Sequence, residues 1–431
     1  MSRRLGVGAV VLPLALVLGA CGGGGPAPAD PAGAPERSTE AERSSEAERS
    51  SEAAGTPSAA EPTPAVSQAE LDQRLRDAAW ANDVKAARRL VKQGADVNAK
   101  DDTEQSAYLV ATSEGYLDLL RLTLRNGARV DAKDSWNGTG LIRAAERGHG
   151  LVVGALLQAG VDRDHVNRIG YQAIHEAVWL GADTRTYATT VRALAAGGVQ
   201  LDLVSPSAGL TPLQMAGERG FDGLERILRN VTTADLPADA DAALLRAART
   251  GDADAVAVAL RAGADLEARD GNERTALLLA ATYDQVAVAE LLVAMGADPN
   301  ALDDRHDTPW LVTGVTGSVA MLEALLPADP DLTIENRYGG LSPIPAGERG
   351  HVDYIRRVVR TGVDIDHVND LGWTAMLEAI ILGNGSEPYQ EIVRILLDAG
   401  ADPTIADREG VTPLRHAEQR GYDAIAALLR R

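Results

Sequence analysis

The sequence predicts an all-α solenoid built from stacked helix–turn–helix units. A sequence repeat of about 33 residues runs from Leu71 to the C-terminus. Within each repeat, apolar residues recur at helical spacing in two stretches, and a glycine turn separates these stretches. A unit of that size cannot bury its own apolar face, so neighbouring units must stack into one continuous core. The region therefore presents an extended surface, which suits holding a partner better than enclosing a reaction.

The last units show how particular residues determine each element. Thr412 is placed to cap a first helix, and Pro413 follows at the first helical position, where no backbone N–H donor is needed. Gly421 ends that helix with a residue that tolerates positive φ. In the unit before, residues 392–399 place four apolar side chains at i, i+3, i+4 and i+7, which predicts one buried stripe on a second helix.

Many copies share the pattern G-x-T-P-L-H followed later by G-A-D-x-N. Good matches are Gly94–Asp101, Gly209–Leu213 and Gly296–Asn300. On these residues the chain resembles the ankyrin repeat family over about 360 residues. The resemblance implies units in which a projecting hairpin finger precedes two antiparallel helices. Eleven units start near Leu71, Thr103, Ser135, Arg168, Ser207, Asp239, Asn272, Arg305, Arg337, Asp370 and Arg408.

A longer period lies on top of the short one. A shift of 202 positions pairs Tyr108 with Trp310, and Asp164–Asn167 with Asp366–Asn369. This pairing indicates a duplicated block of five units with one extra unit between the copies.

The junction between the two halves departs from the pattern. Residues 232–241 contain Pro237 and polar side chains, and the unit that follows lacks the T-P-L-H start. We therefore predict repeats 1–5 over residues 71–231, a break over 232–241 and repeats 6–11 over 242–431. Either two arrays or one kinked array would satisfy this pattern, and a single, slightly irregular solenoid is an equal alternative.

Composition limits the partner classes. The chain has 431 residues, of which only 3% are aromatic, and an aromatic-poor core suits helices that stack closely. Residues 30–70 contribute −6 and Arg3 and Arg4 contribute +2 to the net charge of −20, which leaves −16 for the repeat region. An acidic solenoid argues against nucleic acid as a ligand. The charge suits a basic partner, or simply keeps a long stack soluble.

The first 21 residues have the features of a processing signal. Arg3 and Arg4 precede the apolar run Leu5–Leu18, which Pro13 interrupts and which is too short for a membrane span of about 20 residues. The run ends in Leu-Gly-Ala-Cys21, which resembles the lipobox of bacterial lipoproteins. The resemblance implies that Cys21, the only cysteine, is lipidated and anchors the protein on the extracytoplasmic side of a membrane. The alternative is an ordinary signal peptide with a chance cysteine.

Residues 22–70 differ in composition from the repeats. Pro, Ala, Ser and Glu dominate, and large apolar side chains are nearly absent. Such a segment cannot bury enough apolar surface to fold, so we predict a disordered tether between the membrane and the solenoid.

Motifs for chemistry are missing from the sequence. It contains no H-E-x-x-H pair, no G-x-S-x-G elbow and no glycine-rich phosphate loop before a helix. We therefore predict no enzyme activity, no metal site and no cofactor.

The clearest candidate partner site is the matched finger sequence Asp-His-Val-Asn, which occurs once in each half. An aromatic residue follows each copy at a position expected to be exposed, and the next inter-helix turn is about five residues longer than the pattern in both halves. These features predict a partner hot spot. The alternative is that the side chains only brace neighbouring fingers. The candidate residues are His165, Asn167, Tyr171, His367, Asn369 and Trp373.

Together these patterns predict a lipid-anchored ankyrin solenoid that binds another, unidentified protein at the bacterial cell envelope, in the cell membrane or the periplasm and outer membrane. The alternative is a module that binds a small molecule or glycan at the His165/Tyr171 and His367/Trp373 fingers.

Overall fold

The computed structural model describes residues 66–430, and over that range every regular element is helical. This confirms the predicted all-α repeat solenoid. The predicted signal, Cys21 and nearly all of the predicted tether lie outside the described residues. The segment predicted as tether extends to residue 70, but the first helix already begins at Gln68, because the Ser67 hydroxyl accepts a hydrogen bond from the Glu70 backbone N–H.

Residues 66–430 form eleven pairs of helices, numbered here in chain order. The first helices are α1 Gln68–Trp80, α3 Ala107–Ser113, α5 Gly140–Glu146, α7 Ala173–Trp179, α9 Pro212–Arg219, α11 Ala240–Thr250, α13 Ala276–Thr282, α15 Pro309–Thr316, α17 Pro343–Arg349, α19 Ala375–Ile381 and α21 Pro413–Arg420. The second helices are α2 Val84–Lys92, α4 Leu117–Arg125, α6 Gly150–Gln158, α8 Arg185–Ala196, α10 Asp222–Thr233, α12 Ala253–Arg261, α14 Val286–Ala294, α16 Val319–Leu325, α18 Val352–Val358, α20 Glu387–Asp398 and α22 Asp423–Leu429.

Capping residues fix where the short first helices begin and end. The Thr412 hydroxyl accepts a hydrogen bond from the Arg415 N–H, Pro413 occupies the first turn, and Gly421 ends α21 with φ of 70°. Helix α17 is an exception, because its N-cap residue, Ser342, has helical backbone angles and makes no side-chain hydrogen bond. Helices of seven or eight residues are unstable alone in water, so their stability comes from packing against neighbours.

Each helix packs on its counterpart in the next repeat. First helices stack on first helices and second helices on second helices, from α1 to α10 and again from α11 to α22. We call residues 66–238 the first array and residues 239–430 the second array. The core is continuous along each stack and consists mainly of Ala, Leu, Val and Ile.

The two arrays pack back to back through their second helices. Helix α8 packs on α12 and α14, and α6 packs on α14. Repeats 3 and 4 therefore meet repeats 7 and 6, so the arrays run in opposite directions along their interface. The first helices and fingers of each array lie on the side away from the other array.

Close packing and one buried ion pair join the arrays. A Cβ on Gly154 of α6 would lie 1.7 Å from the Ala294 carbonyl oxygen of α14, so only glycine fits there. Between α8 and α12, Arg192 Nε donates to Asp254 Oδ1 at 2.7 Å, and Asn230 donates to the other carboxylate oxygen at 2.7 Å. Arg192 and Asp254 are largely buried and satisfy each other, so the interface is specific as well as apolar.

Candidate partner-binding surfaces

The two matched histidines of the predicted hot spot connect neighbouring fingers. His165 Nε2 donates to the Asn137 carbonyl oxygen at 2.8 Å, and His367 Nε2 donates to the Gly339 carbonyl oxygen at 2.7 Å. Each imidazole is half-buried. One ring nitrogen of each histidine is thus already used inside the chain.

The matched asparagines are buried at the finger bases. Asn167 Nδ2 donates to Glu176 at 2.6 Å, and Asn369 Nδ2 donates to Glu378 at 2.9 Å. The Asn167 side-chain oxygen also accepts the Tyr171 N–H. Both asparagines therefore fix the fold of their own finger.

The aromatic residues after the fingers differ in exposure. Tyr171 is only 6% exposed and stacks on His175, with ring centroids 5.9 Å apart, so the expectation that it is exposed is wrong. The ring is buried because α7 also places Trp179 beside it. Trp373 is half-buried. A partner-binding role for these six finger residues stays a prediction, with Trp373 the most accessible aromatic among them.

The longer inter-helix turns extend the second helices. Helices α8 and α20 have twelve residues each, against nine in α6. Their extra first turns carry Tyr187 and Tyr389, whose hydroxyls donate to the carbonyl oxygens of Glu146 at 2.9 Å and Glu348 at 3.1 Å. The insertions therefore lock one repeat to the previous one.

A buried carboxyl group accompanies each of these asparagines. The pKa of Glu176 is raised to about 7, mainly by burial and also by the nearby Glu146 carboxylate, against the lowering effects of Asn167 and Arg143. Burial also raises the pKa of Glu378 to about 7, here with Glu348 as the neighbouring carboxylate. The two arrays thus carry the same titratable group at matched positions.

These carboxyl groups belong to a contact that sequence reasoning missed. In four repeats, the side chain of the fourth residue after the N-cap of the first helix bonds to the side chain of the finger residue nine positions earlier. The pairs are Asn167–Glu176, Asn369–Glu378, Asp407–His416 and Asp134–Arg143. The constant spacing of nine is the signal that could have revealed this contact.

Exposed apolar side chains lie at the fingertips of both arrays. Trp136 and Ile169 are 57% and 44% exposed, and their counterparts under the shift of 202, Tyr338 and Leu371, are 57% and 52% exposed. The Arg168 N–H donates to the Trp136 carbonyl oxygen, and the Asp370 N–H donates to the Tyr338 carbonyl oxygen. We call Trp136 and Ile169 the first fingertip patch, and Tyr338 and Leu371 the second.

Three matched positions near these two patches carry opposite charges, and Arg337 adds a cation beside Tyr338 where the first half has Ser135. Lys133 and Arg168 border the first patch, whereas Glu335 and Asp370 occupy the same positions beside the second. Arg129 and Asp331 form a third inverted pair. The patches therefore share an apolar centre but differ in the rim that would set their specificity.

The inversion is part of a larger asymmetry. Residues 66–238 contain 22 acidic and 20 basic side chains, a net charge of −2, whereas residues 239–431 contain 32 and 17, a net charge of −15. The acidic character of the repeat region thus belongs almost entirely to the second array.

A cleft adjoins the second fingertip patch. It has a volume of about 380 Å³, and its lining includes Val315, Tyr338, Pro345 and Arg349. The Arg337 guanidinium lies 4.6 Å from the Tyr338 ring centroid and also pairs with Asp307 at 3.3 Å. Most of the lining is polar or charged, and Val312, Val315, Tyr338 and Pro345 are its apolar members, so the cleft suits a peptide or protein loop with polar side chains.

Residues 66–430 offer neither a metal centre nor a membrane span. In that range no group of three or more His, Cys, Asp or Glu side chains is arranged to hold a metal ion. None of the helices described there is both long and apolar enough to cross a bilayer.

Comparison with known proteins agrees with the architecture. The family model for ankyrin repeats matches this chain three times, over residues 224–303, 244–337 and 344–431. The ankyrin repeat protein YahD of Escherichia coli (strain K12) is 39% identical over 196 residues, which cover 45% of this chain and 96% of YahD. Human ankyrin repeat domain-containing protein 63 is 33% identical over 107 residues, or 24% of this chain, and the match spans only 28% of that protein.

The chain is also similar in sequence to a solved structure. The crystal structure of an ankyrin repeat domain from Acinetobacter baumannii AYE is 46% identical, covers 43% of this chain and 95% of that domain, and has a TM-score of 0.42.

Proposed function

Because the chain belongs to the ankyrin repeat family, and ankyrin repeats mediate protein–protein interaction, we propose that it is a scaffold that binds proteins at two separate faces. The observation that carries the proposal is the back-to-back packing of the arrays, which leaves both sets of fingers on the side that the other array does not cover. Preformed surfaces of this kind lose little conformational entropy on binding. Each face carries one fingertip patch.

The rims of the patches distinguish the two partners. The first patch, bordered by Lys133 and Arg168, suits an acidic protein surface around an apolar anchor. The second, bordered by Glu335 and Asp370, suits a basic one. Like charges placed opposite a rim would reject the wrong partner, so the two faces select different proteins or different parts of one protein.

The cellular setting of the proposal depends on the N-terminal sequence. Lipidation of Cys21 would hold the scaffold at the extracytoplasmic face of a bacterial membrane, with residues 22–67 as the connection. Two or three acyl chains anchor a protein stably, whereas one gives only marginal binding. Radiolabelled palmitate incorporation that Cys21→Ser abolishes would support this placement, and unchanged incorporation would refute it.

Photo-crosslinking in cells tests the scaffold directly. A crosslinking amino acid replaces Trp136 or Tyr338, and Arg394 on the uncovered outer side of α20 serves as the control position. We expect each fingertip to capture a recurrent protein that the control does not capture, and Ile169→Asp or Leu371→Asp to abolish capture at the neighbouring fingertip. Equal capture at all three positions, or capture unaffected by those substitutions, would reject the fingertip patches.

The small-molecule or glycan alternative at the His165/Tyr171 and His367/Trp373 fingers has weaker support. Tyr171 is buried and both histidines are hydrogen-bonded inside the chain. A ligand that raises the melting temperature of the purified chain, and no longer does so after Trp373→Ala, would favour it instead.

A further inference from the structure

Helix α2 has one face made entirely of cations. Lys85, Arg88, Arg89 and Lys92 are the only charged residues of this nine-residue helix, and all four are exposed. At 100° per residue they fall within one third of the helix circumference, over about 10 Å of its axis. Ala87 lies on the opposite face and is fully buried against the core. We call these four residues the basic face.

The cations of the basic face are not neutralised by their surroundings. Within residues 66–430 none of the four forms an ion pair or a side-chain hydrogen bond, and Arg125 on the adjacent α4 is likewise exposed and unpaired. Helix α18 makes a useful contrast. Its Arg356 and Arg357 are paired with Asp353, Glu391 and Glu323. Arg88 shares a cleft with the Asp118 and Asp329 carboxylates, but neither pairs with it. Four like charges held together and unpaired repel one another, so the basic face gains when an anionic surface covers it.

The position of α2 leaves this face accessible. It is the second helix of the first repeat, so it lies at the end of the first array and on the side away from the fingers. From the second array, Ala328 and Asp329 line the same cleft as Arg88. The remaining cations point to solvent in a protein whose net charge is −20.

We infer that the basic face binds the surface of an anionic phospholipid membrane. The cations form a flat stripe without an exposed aromatic or aliphatic anchor among them, which suits a sheet of phosphate headgroups better than a protein hot spot. Each Lys or Arg near such a surface strengthens binding roughly fivefold. Docking through α2 would leave the finger faces free, and the inference does not require Cys21 to carry lipid.

Vesicle co-sedimentation of the full chain carrying Cys21→Ser tests this inference without the lipid anchor. The vesicles contain phosphatidylcholine with phosphatidylglycerol, or phosphatidylcholine alone, so that any insertion by the N-terminal apolar run appears in both. The test variant is K85Q/R88Q/R89Q/K92Q. The matched control, R356Q/R357Q/R360Q/R394Q, removes the same charge from α18, the turn after it and α20. Circular dichroism verifies that both variants remain folded.

We expect binding to the phosphatidylglycerol vesicles to weaken at least tenfold in the α2 variant, to stay within twofold in the control, and to weaken with added salt. Equal binding by the α2 variant and its parent would overturn the inference. So would binding that ignores lipid charge, or a parent that ignores the vesicles and instead self-associates through α2 in light scattering. None of these results depends on whether the fingertips capture a partner.

Discussion

The two arrays have the same fold but very different surfaces. Each stacks first helices on first helices, braces a finger with a histidine, and ties a buried asparagine to a buried glutamate. Yet residues 66–238 carry a net charge of −2 and residues 239–431 carry −15. The difference lies in residues that point away from the core, such as Arg168 and Asp370 at matched fingertip positions.

The comparison separates the residues that form the solenoid from those available for recognition. Caps, turn glycines, finger braces and core positions recur in both arrays because each repeat must satisfy the same backbone groups and bury the same face. Rim charges are free to change sign because exposed charges contribute little to stability. Where matched residues agree, a structural role is the simplest reading. Where exposed residues differ in sign, we expect specificity.

Asp254→Ala should have the largest effect on the pairing of the arrays. It leaves Arg192 buried without its carboxylate, and the loss of one partner from a buried pair costs about 3–5 kcal/mol. Urea unfolding measures the loss. The control is Arg185→Ala, which breaks an inter-array pair with Glu290 in which the arginine side chain is 57% exposed, and should cost less than about 1 kcal/mol. Equal losses in both variants would mean that the α8–α12 contact is not buried in solution.

Gly154→Val should separate the arrays without altering either stack. The new side chain collides with the Ala294 backbone, and overpacking of this kind costs about 1–3 kcal/mol. Gly217→Val in α9 is the matched control, because a Cβ there meets only ordinary contacts and the helix propensity change is the same. Urea unfolding and small-angle scattering should show a less stable, more extended molecule for Gly154→Val alone. Two equally compact and equally stable variants would rule out the close contact between α6 and α14.

Glu176→Gln and Glu378→Gln should remove the same pH dependence from each array. Both folded-state pKa values are about 7, above the ordinary value of 4.5, so the folded chain binds more protons than the unfolded chain between those values. Stability should therefore fall as pH rises from about 4.5 to about 7, by roughly 2 kcal/mol per group. Each glutamine variant should be more stable than the parent at pH 8, and the gain should vanish towards pH 4.5. Parallel pH profiles for variant and parent would contradict the burial of these carboxyls.

Exchanging rim charges should give the smallest effect, and it acts on binding alone. Arg168→Asp should weaken capture at the first fingertip, and Asp370→Arg at the second, by about tenfold each, with thermal stability unchanged. Affinity for captured partners, measured at low and physiological salt, checks this. If both substitutions altered affinity equally at both fingertips, the rims would not distinguish the two faces.

The sequence was sufficient for what lies within a repeat. The T-P-L-H pattern, Thr412 as a cap and Gly421 as a terminator each predict a local structure, and local hydrogen bonds decide the outcome. The hot-spot hypothesis was harder to judge, because the partner of His165 lies in the previous finger and that of Asn167 lies nine residues further along, and a sequence does not show which atoms meet.

Packing between the arrays leaves a signal in the composition of two second helices. Gly150–Gln158 contains no charged residue and Val286–Ala294 contains only Glu290, whereas most second helices carry several charges. A helix that is apolar on all sides must be buried on all sides. Those two helices contact each other across the arrays, so their composition indicates that repeats 3 and 7 are covered, whereas α8 and α12, which form the rest of the contact, each carry two charges.

Proximity of the two arrays in solution is the most direct test of the back-to-back arrangement. In a Cys21→Ser background, Arg185→Cys on α8 and Glu290→Cys on α14 would be treated at low protein concentration with a short bismaleimide. The parent side chains lie 2.8 Å apart, so we predict rapid cross-linking within one molecule. A control pair with Cys at positions 185 and 394 should react slowly, since α20 packs on α18, α19 and α22. Equal rates for the two pairs, or cross-links only between molecules, would contradict the packing of the arrays and, with it, the two independent faces.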